Sequence, residues 1–551
     1  MEKIWLNRYP QQVPAEINPD RYQSLDRLFA EACEKFRLLP ALSFFQKTIS
    51  YAEWADLSQC LAAYLQQQLK LKKGTKVALM LPNCPQYMIS IFAVLQAGFV
   101  VTNVNPFYTA PEFTQQLEHS EAEVLIVLSN FLVNIIHTLK NTKIKYLITT
   151  RLGDMLTWPQ SWLINVSAGW RMKNQRHKNA AIQSTHFLTA LKVGRDLTLS
   201  PVSIEHEDLA FLQYTGGTTG VPRGAMLTHR NILANIEQLT AWVRPLLQEG
   251  EETFITALPL YHIFSLMVNG LMCVRLGAKN RLIPDARNIK QLIRVLAGSS
   301  FSTFLGVNSL FKTLLRHNAF KKLDFTNLKI ALGGGAPIES SVKRLWKQTT
   351  GKLLLEGYGL TEASPVVCAP PWDLVFAGDH VGLPLPSTDI RLCDERNNEV
   401  GIGEIGELCV KGPQVMKNYW QAKHVEQALT PEGWLLTGDL ARIDHQGFVF
   451  ITGRKKDLIL VSGFNVYPEE IERVIQKNPK VKEVAVIGVF SDKTGEAIKA
   501  FVVKKDQSLT IEELLNDCRA SLTGYKLPHE IVFLKYLPKS EIGKILKKDL
   551  H

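Results

Sequence analysis

Residues 214–231, YTGGTTGVPRGAMLTHRN, contain the residue types that bind an anion. Three glycines and three threonines fill six consecutive positions, and an arginine follows shortly after. Glycine lets main-chain N–H groups approach a ligand closely, consecutive N–H groups form a concave anion site, and threonine hydroxyls add donors. We therefore predict a polyphosphate site formed by Thr215, Gly216, Gly217, Thr218, Thr219, Gly220 and Arg223.

Two common phosphate-binding motifs do not fit this loop. A P-loop requires GxxxxGK[ST], and the chain contains neither Gly-Lys-Thr nor Gly-Lys-Ser. A dinucleotide-binding loop requires GxGxxG, whereas the glycines here are spaced GGxxG. The remaining alternative is an ordinary surface loop rich in glycine and threonine.

Two further strand-like runs end in residues that could line a site. His262 lies in LPLYHIF, at a strand end where catalytic groups often occur, although a single histidine is more often a hydrogen-bonded core residue. Gly333, Gly334 and Gly335 follow the apolar run KIAL, so the backbone there can lie flat against a planar ring.

Three later motifs supply polar side chains. In GYGLTE, the aromatic face of Tyr358 suits a purine, the Thr361 hydroxyl a phosphate and the Glu362 carboxylate a Mg²⁺ ion. Asp439 lies in the turn sequence GWLLTGDLARID, where it could bind both ribose hydroxyls or simply cap the turn. Lys544 follows a glycine in LPKSEIGKILKKDL, and a lysine-rich end is commonly just solvated surface.

The elements that must position these residues alternate between strands and helices. VALMLPN, ISIFAVLQAG and FVVTNVNP read as strand, helix and strand, and the alternation resumes after the glycine-rich loop. This order indicates doubly wound α/β sheets with mostly parallel strands. From about Gly382, short strands with many turn residues predict a small β-barrel or distorted sheet.

A second change in the sequence pattern falls at the charged run RKKD, residues 454–457. Beyond it, PEEIERVIQKN, EVAVIGVF, KAFVVKK and IEELLNDCRASL read as a compact α+β domain. We therefore expect an N-terminal domain at 1–455, with two α/β sheets and a small barrel, and a smaller mobile domain at 456–551. Lys456 is the expected hinge.

Composition bounds the possible functions. The chain has 551 residues, 46% of them hydrophobic and 21% charged, so two or more globular domains are expected. Its formal charge of +11 fits polyphosphate, an anionic membrane face or nucleic acid, but aromatic-plus-basic RNA-binding motifs are absent, so no nucleic acid partner is expected. Eight scattered cysteines without C-x-x-C spacing and an amino terminus without an apolar core predict a cytoplasmic protein with free thiols.

Two segments are relevant to possible membrane contact. The 14-residue apolar run from Met88 is too short to span a bilayer and predicts a buried helix leading into a strand. Residues 158–179 carry Trp158, Trp162 and Trp170 followed by basic residues, a pattern that suits a lipid headgroup region. An ordinary surface helix and loop explains the same pattern, and we favour that reading from the sequence alone.

Seven motifs occur together in one order, and their combination is more specific than any of them alone. They are YTGGTTGVPRGAM, LPLYHIF, GGGAPI, GYGLTE, GWLLTGD, GRKKDLILVSGFNVYP and LPKSEIGKILKK. In order and spacing the chain resembles the adenylate-forming enzymes, in particular their acyl-CoA synthetase branch and most closely the bacterial long-chain fatty acid–CoA ligases. The resemblance runs from about residue 20 to the carboxyl terminus.

This resemblance implies a two-step reaction that joins a fatty acid to coenzyme A (CoA). The acid reacts with Mg·ATP to give an acyl-adenylate and pyrophosphate, and the CoA thiolate then displaces AMP. By resemblance, residues 215–220 and Arg223 would bind the β- and γ-phosphates, Thr361 the α-phosphate and Glu362 the Mg²⁺. Residues 333–335 and Tyr358 would bind the adenine, and Asp439 and Arg454 would bind the ribose. Lys544 would contact the reacting carboxylate and the α-phosphate, and His262 would line the acyl site.

Two positions depart from the family pattern. Arg223 stands where lysine is usual, which keeps the charge but adds a planar fork. Gly453 stands where close long-chain relatives often carry aspartate. FSTFLGVNSLF and LPLYHIFSLMVNG would line an acyl tunnel, whose apolar composition favours long acids because each buried methylene contributes about 0.8 kcal/mol.

Other functions remain open at this point. The acid could be of medium length or aromatic, or the adenylate could pass to a carrier protein in place of CoA. A non-catalytic nucleotide or acyl sensor is the alternative from another class. The resemblance also leaves room for peripheral association with the membrane and for a homodimer.

Overall fold

Two seven-stranded sheets form most of the chain up to Glu356. The computed structural model describes residues 2–133, 135–169, 182–215, 222–422, 428–462, 464–491, 493–540 and 543–550. Strands β1 to β9 are Pro40–Phe44, Lys47–Ser50, Lys76–Met80, Val100–Asn103, Val124–Leu128, Tyr146–Thr150, Gln183–His186, Leu209–Thr215 and Arg223–Thr228. Helices α1 to α8 are Leu25–Lys35, Tyr51–Ala63, Pro85–Gln96, Ala110–Ser120, Ser129–Leu132, Gln160–Gly169, Phe187–Arg195 and His229–Val243.

The next stretch completes the first of these sheets. Strands β10 to β14 are Thr253–Thr256, Lys279–Leu282, Thr303–Gly306, Ile330–Gly333 and Leu354–Glu356. Helices α9 to α14 are Ile263–Ser265, Cys273–Arg275, Ile289–Ala297, Asn308–Leu315, Asn318–Lys321 and Ser340–Thr350. A buried π-helix, Leu266–Met272, connects α9 with α10.

Both large sheets have the predicted doubly wound architecture. Their strand orders are β14-β13-β12-β10-β11-β1-β2 and β7-β6-β5-β3-β4-β8-β9. The pairings that the structure describes are parallel except at one edge of each sheet, where β2 and β9 run antiparallel to β1 and β8. Strand β5 is buried along its whole length, as expected for a parallel strand covered on both faces. The run from Met88 is confirmed as helix α3, which is buried on all sides and leads into β4.

The predicted small β-barrel is wrong. Strands β15 to β21 are Tyr358–Gly359, Val366–Ala369, Leu383–Pro384, Asp389–Cys393, Gly406–Lys411, Leu435–Ile443 and Val449–Arg454. They form two open antiparallel sheets, β15-β16-β17 and β18-β19-β20-β21. Within the described part of this region, β18 and β21 stay at the edges of a four-stranded sheet. Four strands are too few to curl round a core and close.

The carboxyl-terminal part forms an α+β unit with its own core. Its elements are β22 (Ile459–Val461), β23 (Phe464–Val466), α15 (Pro468–Gln476), β24 (Val481–Ser491), β25 (Gly495–Lys504), α16 (Ile511–Ser521) and β26 (Glu530–Leu534). Ile471 and Ile475 of α15 and Leu514 of α16 pack onto Val486 in this separate core. A 3₁₀ turn, Lys455–Asp457, connects it to β21, so the boundary at 455/456 stays a prediction placed on a short connection.

Two general expectations can be compared with the fold. All eight cysteines are free thiols, which agrees with the sequence-based expectation. Among the helices that the structure describes, none combines the length and apolar character needed to cross a membrane.

Candidate functional site

The predicted phosphate loop is carried by an antiparallel hairpin. Strands β8 and β9 pair so that Thr215 faces Arg223 and Tyr214 faces Gly224 at the open end of the hairpin. Gly216, Gly217, Thr218, Thr219 and Gly220 lie between these ends and outside the described residues. The hairpin therefore brings the first threonine and the arginine of the predicted site together at the mouth of this loop.

Neighbouring elements hold this hairpin in place. The Tyr214 hydroxyl and His119 Nδ1 are hydrogen-bonded at 2.8 Å, and Trp420 Nε1 donates to the His119 carbonyl at 3.0 Å. The Trp420 backbone N–H also donates to the Gly224 carbonyl at 2.8 Å. Lys76 Nζ lies 3.8 Å from the centre of the Trp420 indole, a cation–π contact. The base of the loop is thus fixed by α4 and by the segment around Trp420.

Tyr419, in the same segment, connects the predicted metal ligand with the phosphate loop. Its hydroxyl donates to Glu362 Oε1 at 2.5 Å. Burial is the main cause that raises the pKa of the Tyr419 phenol, and the Glu362 carboxylate raises it further, whereas hydrogen bonding to Arg223 works in the opposite direction. Tyr419 therefore stays protonated and lies between a carboxylate and a guanidinium.

Glu362 and Thr361 are held on one short turn. They belong to the 3₁₀ helix Thr361–Ala363, which follows β15 directly. The Met416 N–H donates to the Glu362 carbonyl at 2.8 Å, so the turn is joined to the strand-like segment that carries Tyr419. The backbone thus positions Glu362 independently of its side chain.

Tyr358, Asp439 and Arg454, which we call the Asp439 cluster, converge as predicted. The Tyr358 hydroxyl donates to Asp439 Oδ2 at 2.7 Å, and Arg454 Nε lies 2.9 Å from Asp439 Oδ1. Asp439 and Arg454 are direct partners in the β20–β21 pairing. Burial, followed by the Asp439 charge, raises the pKa of Tyr358 well above its usual value, so its hydroxyl remains a donor. Asp439 does more than cap its turn, because each of its carboxylate oxygens contacts another side chain.

The glycine motif at 333–335 lies beside the His262 segment. A Cβ on Gly334 would lie 3.1 Å from the ring of Phe264, and a Cβ on Gly333 would lie 2.6 Å from the Ile338 side chain. Gly335 has a φ of +79° and no atom within 4 Å of its Cβ position, so it presents bare backbone. Gly335 therefore offers open backbone to a planar ring, whereas Gly333 and Gly334 are buried under neighbouring side chains.

Lys544 lies against the N-terminal part of the chain. It is held by the Lys544 turn, the described part of residues 539–545, in which the Ser540 N–H donates to the Lys544 carbonyl at 2.7 Å. Gly543 in this turn, with a φ of +81°, approaches so closely that a Cβ there would lie 2.9 Å from Ser309 Oγ of α12. The terminal motif, which the sequence alone could not distinguish from solvated surface, therefore contacts the N-terminal part of the chain.

The Lys544 charge acts on His262, so the two residues are electrostatically linked. Surrounding protein and then the Arg454 charge lower the pKa of Lys544, while Asp439 raises it, although the ammonium group remains accessible to solvent. Burial, followed by the Lys544 charge, lowers the pKa of His262 to about 4. His262 is therefore a neutral imidazole at physiological pH, and Lys544 is the cation that faces it.

The predicted hinge is part of the same electrostatic group. Surrounding protein lowers the pKa of Lys456, with Asp457 acting against this and Arg454 and Arg223 adding to it. Two residues before Lys456 in β21 is Arg454 of the Asp439 cluster. The connection between the two parts of the chain thus begins inside the site.

Glu469 explains one departure from the family pattern. A Cβ on Gly453 would overlap the Glu469 carboxylate of α15, so an aspartate at 453 would displace that side chain. Burial raises the pKa of Glu469 to about 7, with Lys547 opposing the shift and Glu472 reinforcing it. Gly453 and Glu469 therefore form a tight contact between the two parts of the chain.

The donor set was also compared with the needs of a metal ion. In the described residues there is no group of three or more histidine, cysteine or acidic side chains that could enclose one. Mg²⁺ is usually bound by one or two carboxylates together with substrate phosphates and water. A single carboxylate, Glu362, opposite a phosphate loop fits that mode of binding.

Two residues in this site escaped sequence reasoning. Tyr419 was not selected, although an adjacent Tyr-Trp pair in the polar run MKNYWQAK is unusual for a solvated loop. Glu469 resembled an ordinary acidic residue in the first turn of a helix, and its burial depends on Gly453, which is distant in sequence.

Comparisons with known proteins agree with this geometry. The profile of the AMP-binding enzyme family matches residues 29–420, and that of the AMP-binding enzyme C-terminal domain matches residues 470–544. The chain is 48% identical to a long-chain-fatty-acid--CoA ligase of Salmonella typhimurium over all of this chain and 98% of the relative. It is 36% identical to the enzyme of the same name from Bacillus subtilis, with the same coverage. The crystal structure of ATP-bound MatB from Rhodopseudomonas palustris superimposes with a TM-score of 0.79 at 27% identity, covering 96% of this chain and 98% of MatB.

Proposed function

Since the chain belongs to the AMP-binding enzyme family, we propose that it is an ATP-dependent long-chain fatty acid–CoA ligase that releases AMP and pyrophosphate. The observation that carries the proposal is the approach of the Lys544 turn to α12 at Ser309, where the Lys544 charge acts on His262 and the charges of Arg454 and Asp439 act on Lys544. A cation at this point would meet the α-phosphate of a nucleotide whose ribose is bound by Asp439. The names of the full-length relatives support the choice of acid and acceptor.

In the first step, the fatty acid carboxylate attacks the α-phosphate of ATP and pyrophosphate leaves. Both reactants are anionic, so the site must offset their repulsion and hold an in-line geometry. Lys544 neutralises the charge at the reacting atoms, and Arg223 holds the leaving pyrophosphate. No general base is needed because the carboxylate is already ionised near neutral pH.

Glu362 is the residue that would hold Mg²⁺, with Tyr419 orienting its carboxylate. When bound, the ion supplies positive charge to the phosphates. Asp439 and Arg454 orient the ribose, and the segment at 333–335, open at Gly335, accepts the adenine beside Tyr358.

In the second step, the CoA thiolate attacks the acyl-adenylate and AMP leaves. We propose that the carboxyl-terminal unit turns about Lys456, so that the Lys544 turn leaves the cleft and the face around Phe464 enters it. This movement requires the Gly453–Glu469 contact to open. Because it lies on a movable unit, Lys544 would take part in formation of the acyl-adenylate but not in its transfer to CoA.

The acyl chain would lie between the two segments predicted to line it. The π-helix Leu266–Met272 is buried throughout, and π-helical turns are frequent at functional sites. Phe264 packs on Gly334, which places this segment beside the proposed adenine surface. A buried apolar path next to the reacting carboxylate favours a long alkyl chain over acetate.

Incubation of the protein with ATP, Mg²⁺, CoA and palmitate tests the proposal. We expect palmitoyl-CoA and AMP in equal amounts, with faster turnover for long than for short acids. Thioester only with medium-length or aromatic acids would correct the substrate class, and transfer only to a holo-carrier protein would correct the acceptor. Nucleotide binding without AMP release across the whole acid panel would reject the enzyme and favour a sensor.

We also propose peripheral association with a membrane, and sedimentation velocity would test for a homodimer.

A further inference from the structure

Helix α6 displays an apolar face that the fold leaves uncovered. Trp158, just before the helix, is 83% exposed, and Trp162, Leu163 and Val166 are 58%, 55% and 42% exposed. Trp162 and Val166 are four residues apart within α6, so they lie on one side of the helix, and exposed Trp158 lies just before its start. Large apolar side chains that cluster in this way mark an interaction surface more often than single exposed ones do.

The helix is held firmly under this face. Asn165 Oδ1 accepts from the Gly153 N–H at 2.9 Å, and Asn165 Nδ2 donates to Asp154 Oδ1 at 3.1 Å. Asp154 is itself bound by the Thr150 hydroxyl at 3.0 Å and by His186 Nε2 at 3.2 Å. The exposed residues therefore project from a helix fixed to the ends of β6 and β7.

Basic residues line two grooves near α6. One groove of about 420 Å³ reaches from Gln160, the first residue of α6, to Lys290 and Arg294 of α11, and none of its described lining residues is acidic. A second groove of about 360 Å³ lies beside Thr157, just before α6, and is lined by Lys192 and Arg195 of α7. The two carboxylates of that second groove, Glu53 and Asp154, lie 3.2 Å from Lys47 and from His186 respectively.

The sequence adds charge of the same sign. Residues 170–181, which follow α6 and lie outside the described residues, include Arg171, Lys173, Arg176 and Lys178 and no aspartate or glutamate. Tryptophan prefers the headgroup level of a bilayer, and neighbouring lysine and arginine bind anionic headgroups. The combination matches a lipid surface better than the neutral, apolar face of a second protein chain.

We propose that the α6 face, formed by Trp158, Trp162, Leu163 and Val166 with its basic borders, docks the enzyme on an anionic membrane. The side chains enter the headgroup region while Lys192, Arg195, Lys290 and Arg294 lie against the phosphates. This reverses the reading of an ordinary surface helix favoured by the sequence. The inference rests on the proposed function, because a long-chain acid is a substrate that partitions into lipid.

Vesicle flotation with the full-length protein tests the docking surface without ATP, CoA or acid. The probes are vesicles of phosphatidylethanolamine with phosphatidylglycerol and vesicles of phosphatidylcholine alone. We expect the wild-type protein to bind the anionic vesicles more strongly and to lose part of that binding at high salt. The Trp158→Ser/Trp162→Ser variant should bind at least about tenfold less, since burial of two large apolar groups exceeds the 1.4 kcal/mol that corresponds to a factor of ten.

A matched control uses two other exposed apolar residues. Val375 and Phe376 are 81% and 69% exposed and lie far along the chain from α6. The Val375→Ser/Phe376→Ser variant should float like the wild-type protein, and both double variants should keep the wild-type melting temperature. Neutralising Lys290 and Arg294 to glutamine should weaken binding to anionic vesicles while leaving the weak binding to phosphatidylcholine unchanged.

Several results would overturn the proposal. They are absence of wild-type binding, equal binding by the α6 variant, or a change from dimer to monomer in that variant, which would make the face an interface between copies. Ligation of palmitate without vesicles is measured in parallel. Its absence would reject the proposed function while leaving the flotation result interpretable, and its presence with unchanged flotation would reject the docking surface alone.

Discussion

The Asp439 cluster and the Lys544 turn bring charge into the same cleft by different structural means. The cluster consists of side chains on neighbouring strands, with two hydrogen-bonded contacts shorter than 3 Å to one carboxylate. The turn is a short hairpin on a separately folded unit and approaches the cleft through Gly543 and Ser309. In the proposed mechanism, residues of the sheet bind the nucleotide, whereas Lys544 comes from a separate unit that can move away.

The largest effect, and the strongest test of this difference between the two regions, should come from removing the Lys544 side chain. Lys544→Ala should lower acyl-adenylate formation by about a thousandfold, the scale for loss of one charge aimed at a transition state. Thioester formation from pre-made acyl-adenylate should stay within a few-fold of the wild type, since it does not use this cation. Pyrophosphate release and single-turnover thioester assays measure the two steps.

The control for this variant is Lys548→Ala, an exposed lysine four residues further along the same tail. It should leave both steps unchanged. If Lys544→Ala slowed both steps equally, the lysine would belong to the fixed part of the site and the proposed division of roles would be wrong.

The second largest effect should come from the Asp439 cluster itself. Asp439→Asn removes the charge proposed to accept hydrogen bonds from the ribose, and a hydrogen bond to a charged group contributes about 1.5–3 kcal/mol, so ATP binding should weaken by about ten- to a hundredfold. Unlike the lysine variant, it should impair both steps, since AMP remains bound during the second. Calorimetric titration with ATP and with AMP provides the measurement.

Asp373→Asn serves as its control because Asp373 makes only a 3.4 Å contact with Arg8 at the surface. ATP affinity within a factor of two of the wild type in Asp439→Asn would contradict the proposed ribose contact. Equal melting temperatures in both variants would show that the loss is local.

A smaller effect, on the Mg²⁺ dependence of ATP binding, should follow from substitution of Tyr419. Tyr419→Phe removes the hydroxyl that orients Glu362, and a hydrogen bond to a charged group contributes about 1.5 kcal/mol or more. We expect about a tenfold increase in the Mg²⁺ concentration needed for half-maximal ATP binding, a readout that does not depend on turnover. Tyr536→Phe, at an exposed position, is the control. Unchanged Mg²⁺ dependence would remove Tyr419 from the site.

The smallest expected effect is a dependence on pH at the contact between the two regions. The docked Glu469 carboxyl holds its proton up to about pH 7, whereas its ordinary pKa is 4.5, so the docked state binds more protons between these values. Docking therefore weakens as the pH rises from about 4.5 to about 7 and changes little above that. The ratio of adenylation rate to thioester rate should fall a few-fold across this interval.

Glu469→Gln should flatten this ratio, because the amide cannot ionise. Glu512→Gln, on the exposed start of α16, should retain the wild-type profile. An identical slope in the wild type and in Glu469→Gln would show that another group controls the contact.

The fold was largely predictable because its signals are local. The apolar run from Met88 to Val101, for example, has the length and periodicity of a buried helix and a strand, with a glycine between them, and this pattern fits few other structures. Barrel closure failed as a prediction because it depends on how edge strands meet, and short turn-rich strands look the same in an open sheet. The domain boundary near Lys456 was visible as a charged run between two kinds of pattern, and remains a prediction.

The site was predictable where a motif carries its own chemistry. Through resemblance, Tyr358 was assigned to the adenine and Asp439 with Arg454 to the ribose; the fold brings the three side chains into hydrogen-bonding contact, and their roles remain predictions. Tyr419 was missed because its partner Glu362 is distant in sequence and no spacing rule joins them. Glu469 was missed for a related reason, since only the absent side chain of Gly453 allows its carboxylate to be buried.

The β20–β21 pairing has one further consequence. Arg454 is the last residue of β21 and the 3₁₀ turn begins at the next position, so the strand proposed to bind the ribose also carries the connection to the carboxyl-terminal unit. Departure of AMP would free the Arg454 side chain beside this connection when the unit has to return. Product release and the start of the next cycle would then be coupled through one strand.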